Sequence, residues 1–349
     1  MKAGIYDPYL DTLGGGEKYC LTLAELLLKN DFEVDIFWDG ENLKKKIEER
    51  LGLDIGKANF IPAPKGIIEK FITLRKYDLL FFMGDGSIPL MFGKKNILHV
   101  QVPFKRIGGN SLLNKIKLLM ISEVVCNSYF TKNFIDKTFG ISSKVIHPPI
   151  NLENFKPEKK ENLIISVARF SQLLQAKKQD ILIKVFKRLC NNGLKGWRLV
   201  IAGGSDVGGK EFVSYLKKIV SGYPIKIEEN IPFADLVNLY SKAKIFWSAS
   251  GFDVDEESQP ERVEHFGMTA VEAMSAGAVP FLLKKGGFKE IVEEGKSGYF
   301  WETESELEEK TTELIKDEGK IILIGNQAAK RSKIFSKENF IENVKRIVL

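Results

Sequence analysis

The chain has 349 residues, 44% of them hydrophobic, and a formal net charge of +6, so it can bury two cores of ordinary size and we expect two domains. No apolar run approaches the roughly 18 to 20 residues of a membrane span, and the opening MKAGIYDPYL lacks the pattern of a signal peptide. The cysteines Cys20, Cys126 and Cys190 lie far apart without metal-ligand spacing, which favours buried thiols in a reducing cytosol over a disulfide framework or a metal site.

Apolar, β-rich segments alternate with helical periods along the chain, which predicts an α/β architecture with parallel sheets. The strands expected in the first half are KAGIY, EVDIFW, LLFFM, NILHVQ, EVVCNS and KVIHPPI. A polar stretch, NLENFKPEKKEN, follows as a linker. The strands expected after it are LIISVA, WRLVIAG, IKIEENI, AKIFWSAS and AVPFLL. We therefore predict two Rossmann-like domains, 1–150 and 151–335, with ligands at the carboxyl ends of their strands.

The first predicted strand leads into a glycine triplet, residues 14–16, and then into a helix that extends to Lys29. Glycines at a helix start let a phosphate or a sugar approach the backbone closely. The rival interpretation is a dinucleotide fingerprint, supported by Asp39 at the end of the second strand. That pattern fails at its third glycine, where Tyr19 stands, so a nicotinamide-dependent dehydrogenase is disfavoured.

Between Lys94 and Lys144 the chain holds nine basic residues against two acidic ones, Glu123 and Asp136. Within this span the segment SLLNKIKLLM, residues 111–120, combines apolar side chains with lysines. Two interpretations stay open for it: an interfacial helix that contacts an anionic membrane, and a core-facing helix with solvated lysines. No compact basic and aromatic cluster accompanies these charges, so we expect no nucleic-acid partner.

The segment PERVEHFGMTAVEAMSAGAVP, residues 260–280, places Glu264 before a glycine turn and Glu272 inside the helix that follows. We expect this helix to begin near Met268 and to stop before Gly277, because apolar residues between them supply a buried face and glycine suits the position after a helix end.

The first backbone N–H groups of this helix belong to Phe266, Gly267, Met268 and Thr269. Such a terminus can bind phosphate, and the carboxylate of Glu272, one turn further in, can accept hydrogen bonds from ribose hydroxyls. A nucleotide site is thus one interpretation. The other is a capping box with Thr269 as N-cap and Glu272 as its partner at N3.

The same segment resembles the signature of the retaining, nucleotide-sugar-dependent glycosyltransferases of the GT-B fold, family 4, or glycosyl transferases group 1. That signature is a Glu, seven residues and a second Glu, with an F-G turn between them and E-A-M-A/S-x-G-x-P after it. Here it is EHFGMTAVEAMSAGAVP. The resemblance continues through LIISVARFSQLLQAKKQDILIKVFKRL, LVIAGG, ADLVNLYSKAKIFWSAS and GGFKEIVEEGKSGYFW, and is looser in the first half.

The resemblance implies a GT-B fold, with two Rossmann-like domains facing each other across a cleft. The first domain would lie on the acceptor side, and the second would bind the nucleotide sugar. A C-terminal helix at about 336–349 would pack back on the first domain.

The resemblance also implies roles for individual side chains. Arg169 and Lys177 match the Arg and Lys that hold the donor diphosphate, with Lys178 where glycine is more usual. Two fixed cations would neutralise the charge that builds on the leaving diphosphate, so we expect neither a metal nor another cofactor. Glu264 would contact the donor sugar or support its developing positive charge, while Glu272 holds the ribose.

In the first domain, Gly15 and Gly16 match a Gly-Gly loop of such enzymes, but the histidine expected near the donor sugar is missing. The family pattern is H-x-P, and here Gln101 stands two residues before Pro103. His99 lies two residues earlier and would share a face with Gln101 if the strand persists. We keep both as candidates for the missing group; the alternative for His99 is a core residue.

We therefore predict a cytoplasmic hexosyltransferase that moves a hexose from a nucleoside diphosphate sugar to a glycan or lipid-linked acceptor with retention. An interfacial helix at 111–120 would add peripheral contact with the inner face of an anionic membrane. The alternatives are a binding or scaffold protein of this fold without turnover, a glycogen synthase-like glucan polymerase, and a sugar phosphorylase. A glycosidase is disfavoured, because its two carboxylates, about 5 to 10 Å apart, need no diphosphate cradle.

Overall fold

The computed structural model describes residues 1–40, 43–104, 111–171, 176–205 and 209–349. They form two compact units: unit 1 is Met1–Pro149 with Lys337–Leu349, and unit 2 is Ile150–Ser336. These limits lie within one residue of the predicted domains. In the described ranges, no helix combines the length and apolarity that crossing a membrane requires.

Unit 1 is built on a parallel sheet. Its strands β1 to β7 are Lys2–Tyr6, Glu33–Phe37, Asn59–Ile61, Leu79–Met83, Lys95–Val100, Glu123–Cys126 and Lys144–Val145. Across the described residues they lie in the order β3-β2-β1-β4-β5-β6-β7, and the pairs are parallel. The order reverses between β1 and β4, and the carboxyl ends at such a switch point are where open α/β sheets bind ligands.

Helices cover both faces of this sheet. They are α1 Gly15–Leu28, α2 Lys44–Leu51, α3 Ile67–Leu74, α4 Leu112–Leu119 and α5 Tyr129–Phe139. Side chains of β4 alternate between two apolar clusters, as the pleat of a strand dictates. Phe81 joins the cluster of α1 and α2, whereas Leu80 and Phe82 join the cluster that contains Leu74 of α3 and Ile135 of α5.

Unit 2 has a second parallel sheet. Its strands β8 to β13 are Glu161–Val167, Arg198–Gly203, Ile225–Glu229, Ala243–Ser248, Val279–Leu283 and Tyr299–Trp301. Within the described part they lie in the order β10-β9-β8-β11-β12-β13. Its helices α6 to α11 are Gln179–Asn191, Gly209–Ile219, Phe233–Lys242, Met268–Ser275, Glu304–Leu314 and Glu318–Ser332. The strand order reverses between β8 and β11, so the carboxyl end of β8 stands at a switch point.

The helix that follows unit 2 in the chain, α12 (Lys337–Val348), belongs to unit 1. Phe340 and Val344 are buried in the cluster of α1, and Lys337 Nζ lies 2.9 Å from Glu25 Oε2. Ile150 and Ser336, the two ends of unit 2, pair with each other in a parallel bridge.

Each predicted strand has a counterpart: KAGIY and LLFFM match β1 and β4 residue for residue, β8 begins two residues earlier than predicted, and most of the others are shorter. The prediction for KVIHPPI was too long, because only Lys144–Val145 pairs. The short strands β3 and β13 were not predicted. The linker stretch begins with a 3-10 helix, Leu152–Asn154. The other 3-10 helices of the described residues are Leu10–Thr12, Pro260–Arg262, Gly286–Glu290 and Lys333–Phe335.

Candidate functional site

Arg169 follows β8 at the switch point of unit 2. The backbone amide of Ala168 donates to the carbonyl oxygen of Ala202 at 3.0 Å, which extends the β8–β9 pairing past the end of the strand. The Gln179 side chain, at the start of α6, donates through Nε2 to the Arg169 carbonyl oxygen at 3.1 Å. These bonds fix the backbone of Arg169, whose side chain is predicted to bind the donor diphosphate.

Lys177 and Glu264, predicted separately, lie in contact. Lys177 Nζ is 2.8 Å from Glu264 Oε2, and the two side chains are only 12% and 19% exposed. Burial by itself would raise the pKa of Glu264, but the charge of Lys177 and its hydrogen bond outweigh burial and hold that pKa below its usual value. Glu264 is therefore ionised at neutral pH, and a cation and an anion stand together at the carboxyl edge of the sheet.

Lys178, where the family more often has glycine, adopts a left-handed backbone with φ of 52° and caps α6. Glycine reaches this conformation without the clash that a Cβ brings. The lysine at position 178 therefore has a conformational cost that glycine would not have.

His265 is a buried residue of this site that the sequence analysis did not single out. It is 6% exposed, and burial lowers its pKa to about 4 although the adjacent Glu264 acts in the opposite direction. The ring is thus neutral at pH 7. The signal was present in the sequence, since His265 stands between the first glutamate and the F-G turn.

Helix α9 begins at Met268, and Gly277 follows its end with φ of 79°, as predicted. Gly267 is the N-cap residue with φ of 107°, and a Cβ there would lie 2.5 Å from the Phe288 ring. Thr269 is therefore inside the first turn, and the capping-box interpretation is wrong. The amides of Met268 and Thr269 lie in that turn, where the helix itself provides no acceptor.

Phe266 contributes backbone, not side chain, to this turn. Its ring is buried and packs edge-on against Phe335, with centroids 5.4 Å apart. The carbonyl oxygen of Glu264 accepts a bond from the Gly287 amide at 2.8 Å, which anchors the segment before α9 to the 3-10 helix that begins at Gly286.

Glu272, half-buried on α9, accepts a hydrogen bond from the Tyr240 hydroxyl of α8 at 2.9 Å. Tyr240 is completely buried, and burial and the charge of Glu272 raise the pKa of its phenol well above the usual range. The phenol therefore remains a donor and directs the carboxylate. Sequence reasoning missed Tyr240, because a tyrosine in an amphipathic helix is most simply a core residue.

In unit 1 the structure brings Gln101 to the glycine loop. Helix α1 starts at Gly15 after the N-cap Gly14, whose amide donates to Glu17 Oε2 at 2.5 Å. A Cβ on Gly16 would lie 2.0 Å from Gln101 Nε2, so the glutamine amide rests directly on the loop.

His99, by contrast, lies in the core of unit 1. It is fully buried, its ring stacks on Tyr19 with centroids 3.9 Å apart, and Nδ1 lies 3.1 Å from the Val125 carbonyl oxygen. Burial lowers its pKa to about 3. This environment favours the core alternative for His99. Tyr19, the residue that breaks the dinucleotide fingerprint, is its packing partner.

Asp7 is a third residue that the sequence analysis missed. It follows β1 at the switch point, is completely buried, and accepts the Tyr9 amide at 3.0 Å. Burial, reinforced by the charge of Glu17, raises the pKa of Asp7 to about 7. The available signal was an acidic residue directly after a buried strand. Among the described residues, no group of three or more His, Cys, Asp or Glu is placed to hold a metal ion.

The family model described as Glycosyl transferases group 1 matches residues 149–334. This span contains Arg169, Lys177, Glu264 and Glu272, but none of the unit 1 candidates. It covers more than half of the chain and corresponds almost completely to unit 2.

Two relatives illustrate the similarity. An uncharacterized glycosyltransferase of Methanocaldococcus jannaschii is 28% identical over 229 residues, which are 64% of this chain and 58% of that protein. A GDP-Man:Man(3)GlcNAc(2)-PP-Dol alpha-1,2-mannosyltransferase of Dictyostelium discoideum is 24% identical over 233 residues, which are 62% of this chain and 45% of that protein. The chain thus spans about half the length of these relatives.

Solved structures share the fold over nearly the whole chain. HepE of Anabaena in complex with UDP matches with a TM-score of 0.75 and 19% identity over 99% of both chains. A glycosyltransferase of Rickettsia africae ESF-5 matches with a TM-score of 0.76 and 17% identity over 99% of this chain and 97% of that one. The predicted fold class, GT-B with two Rossmann-like domains, is confirmed.

Proposed function

The chain belongs to the glycosyl transferases group 1, and on that premise we propose that it is a retaining hexosyltransferase that uses a nucleoside diphosphate sugar. The observation that carries this proposal is the contact of Lys177 with Glu264 beside the glycine-opened start of α9. A partly buried cation, an anion and a helix N-terminus together suit a ligand that has a diphosphate at one end and a sugar at the other.

The proposed reaction uses these groups as follows. The bond between the anomeric carbon and the diphosphate oxygen breaks, and the acceptor oxygen bonds to the same face of that carbon. The acceptor proton passes to the leaving phosphate. Arg169 and Lys177 stabilise the negative charge that grows on the diphosphate, and ionised Glu264 stabilises the positive charge on the sugar. We propose that this step needs no metal ion, so transfer should persist in EDTA.

The names of the relatives guide the choice of substrates. Relatives that are named for GDP-Man and for a PP-Dol-linked oligosaccharide make GDP-mannose and a lipid-linked glycan the first donor and acceptor to test. The UDP complexes of the structural neighbours make UDP-glucose the second donor. We place the enzyme in the cytoplasm, in peripheral contact with an anionic membrane.

A panel of nucleotide sugars, screened first by thermal shift and then for transfer, tests the proposal, because a ligand of the folded state raises its stability. With the donor identified, Arg169→Ala and Lys177→Ala should each lower turnover more than they weaken nucleoside diphosphate binding. Lys184→Ala is the matched control, since Lys184 lies on the same helix α6 but pairs with Glu304 at the surface. Wild-type turnover in either site variant would remove that residue from the mechanism.

The second candidate is a binding or scaffold protein of this fold, which the glutamine in place of the expected histidine at position 101 leaves open. Nucleotide binding without transfer or donor hydrolysis across the panel would make it the better description.

A further inference from the structure

Helix α4 turns its apolar side away from the protein. Four of its side chains are between 51% and 87% exposed: Leu112, Leu113, Ile116 and Leu119. These positions share one side of a helix. Leu118, on the other side, packs against an apolar cluster of unit 1. The core-facing interpretation of residues 111–120 is therefore wrong, and their apolar stripe is a surface.

Helix α3 repeats this arrangement, which the sequence analysis did not predict. Its exposed side chains, between 48% and 77% accessible, are Ile67, Ile68, Phe71 and Ile72. Leu74 at its end is fully buried. Two short helices thus each expose a continuous apolar face, and soluble proteins seldom expose such patches without a partner.

The two faces belong to one region of unit 1. Leu74 of α3 and Leu118 of α4 pack against the same apolar cluster, so both helices cover the same side of the sheet and both stripes turn away from it. A cavity of about 290 Å³ is bordered by Lys70 of α3 and Lys117 of α4. Its floor includes Tyr6 and Phe82, at the carboxyl ends of β1 and β4, where a ligand of this sheet is expected.

The charge around the two apolar faces indicates what kind of partner would cover them. The segments 65–76 and 111–120 contain one carboxylate, Glu69, and six cations: Lys65, Lys70, Arg75, Lys76, Lys115 and Lys117. They carry a net +5 of the formal +6 of the whole chain. A second copy of the chain would bring an identical positive face and be repelled. A partner that is apolar inside and negative outside fits both properties, and an anionic bilayer is such a partner.

We propose that the exposed faces of α3 and α4 form one docking surface for an anionic lipid bilayer. The apolar side chains enter the acyl boundary, and the surrounding lysines and arginine contact lipid phosphates. The inference rests on the proposed function in one respect: a lipid-linked acceptor would keep its tail in the bilayer while its head group reaches the cavity at the carboxyl edge of the sheet.

Vesicle sedimentation of the full chain tests the surface without requiring turnover. Wild type should sediment with vesicles of phosphatidylglycerol and phosphatidylcholine and much less with phosphatidylcholine alone. Ile67→Ser with Ile68→Ser on α3, and separately Leu113→Ser with Leu119→Ser on α4, should each lower partitioning at least about tenfold, because binding scales with buried apolar area. Leu323→Ser, at an exposed leucine of α11 in unit 2, should leave it unchanged.

The contribution of charge is tested by Lys76→Glu with Lys115→Glu, at two exposed positions that do not border the cavity, which should abolish sedimentation with the anionic vesicles while transfer to a soluble acceptor remains. These positions are at the surface, and thermal unfolding verifies that each variant is folded. If the α3 variant bound vesicles as strongly as wild type does, the two-helix surface would be overturned. Self-association of wild type that is lost in the serine variants would also overturn it, because the apolar faces would then be an interface between copies of the chain. Vesicle binding without transfer would support the docking surface and contradict the proposed function. Transfer without vesicle binding would support the proposed function and contradict the docking surface.

Discussion

At the scale of single residues, the hydrogen bond from Tyr240 to Glu272 sets the orientation of the one carboxylate on helix α9. The hydroxyl occupies one carboxylate oxygen from inside the protein, which sets the direction in which the carboxylate can receive further donors. If Glu272 holds the ribose, as proposed, Tyr240 acts through it as a positioning residue.

Glu272→Ala should weaken nucleoside diphosphate binding by about 1.5 to 3 kcal/mol for each ribose bond lost, since the acceptor is charged. Tyr240→Phe removes only the hydroxyl and should weaken the same binding to a smaller extent. Calorimetric titration with a ribonucleoside diphosphate and its 2′-deoxy and 3′-deoxy analogues measures this, and the variants should lose less affinity for an analogue that lacks a bonded hydroxyl. Equal losses for all three nucleotides would mean that the pair only supports the fold.

Gln101 and His99 were both candidates for the missing histidine, but their surroundings differ. The amide of Gln101 rests on the glycine loop, whereas the ring of His99 is enclosed by Tyr19 and Phe81. Gln101→Ala should therefore lower transfer at least about tenfold, equivalent to roughly 1.4 kcal/mol of transition-state stabilisation.

His99→Ala should reduce thermal stability and affect transfer less. Steady-state kinetics, corrected for the folded fraction, compares the two variants. The reverse order would assign the role of the missing histidine to His99.

At the scale of elements, the start of α6 carries a strain that can be relieved. Lys178→Gly should stabilise the protein by up to about 1 kcal/mol, because relief of the left-handed backbone, roughly 1 to 2 kcal/mol, exceeds the entropy that glycine adds to the unfolded chain, about 0.4 to 1 kcal/mol. Denaturant unfolding gives the free energy. Lys184→Gly in the middle of α6 should destabilise by about 1 kcal/mol instead. A destabilised Lys178→Gly variant would show that the lysine side chain makes a compensating contact.

Some elements could be predicted because they leave a clear signal: LLFFM is an unbroken apolar run, and the helix after Gly267 has buried apolar positions bounded by two glycines. The strands β3 and β13 could not, since each has three residues, too few for any period to appear. The apolar stripe of α4 was found, but periodicity alone does not tell whether a stripe faces the core or the surroundings.

At the scale of the whole molecule, the two-domain division could be predicted from the polar stretch that begins at Asn151, and the candidate donor-binding residues from a nearly continuous signature. Side-chain contacts between segments far apart in the chain could not be predicted from the sequence pattern. Lys177 meets Glu264 across 87 positions and Tyr240 meets Glu272 across 32, and only the parallel sheet of unit 2 brings these pairs together.

The pairing of Ile150 with Ser336 makes unit 2 an insertion within unit 1. On the ribosome, the described strands β1 to β7 of unit 1 emerge before α12 exists, and the apolar cluster that contains Phe340 and Val344 is completed only after unit 2 has been synthesised. Unit 2 is continuous in the chain and can fold as it emerges. Unit 2 should therefore be complete first, and the part of unit 1 that precedes it in the chain should lack its last helix during that interval.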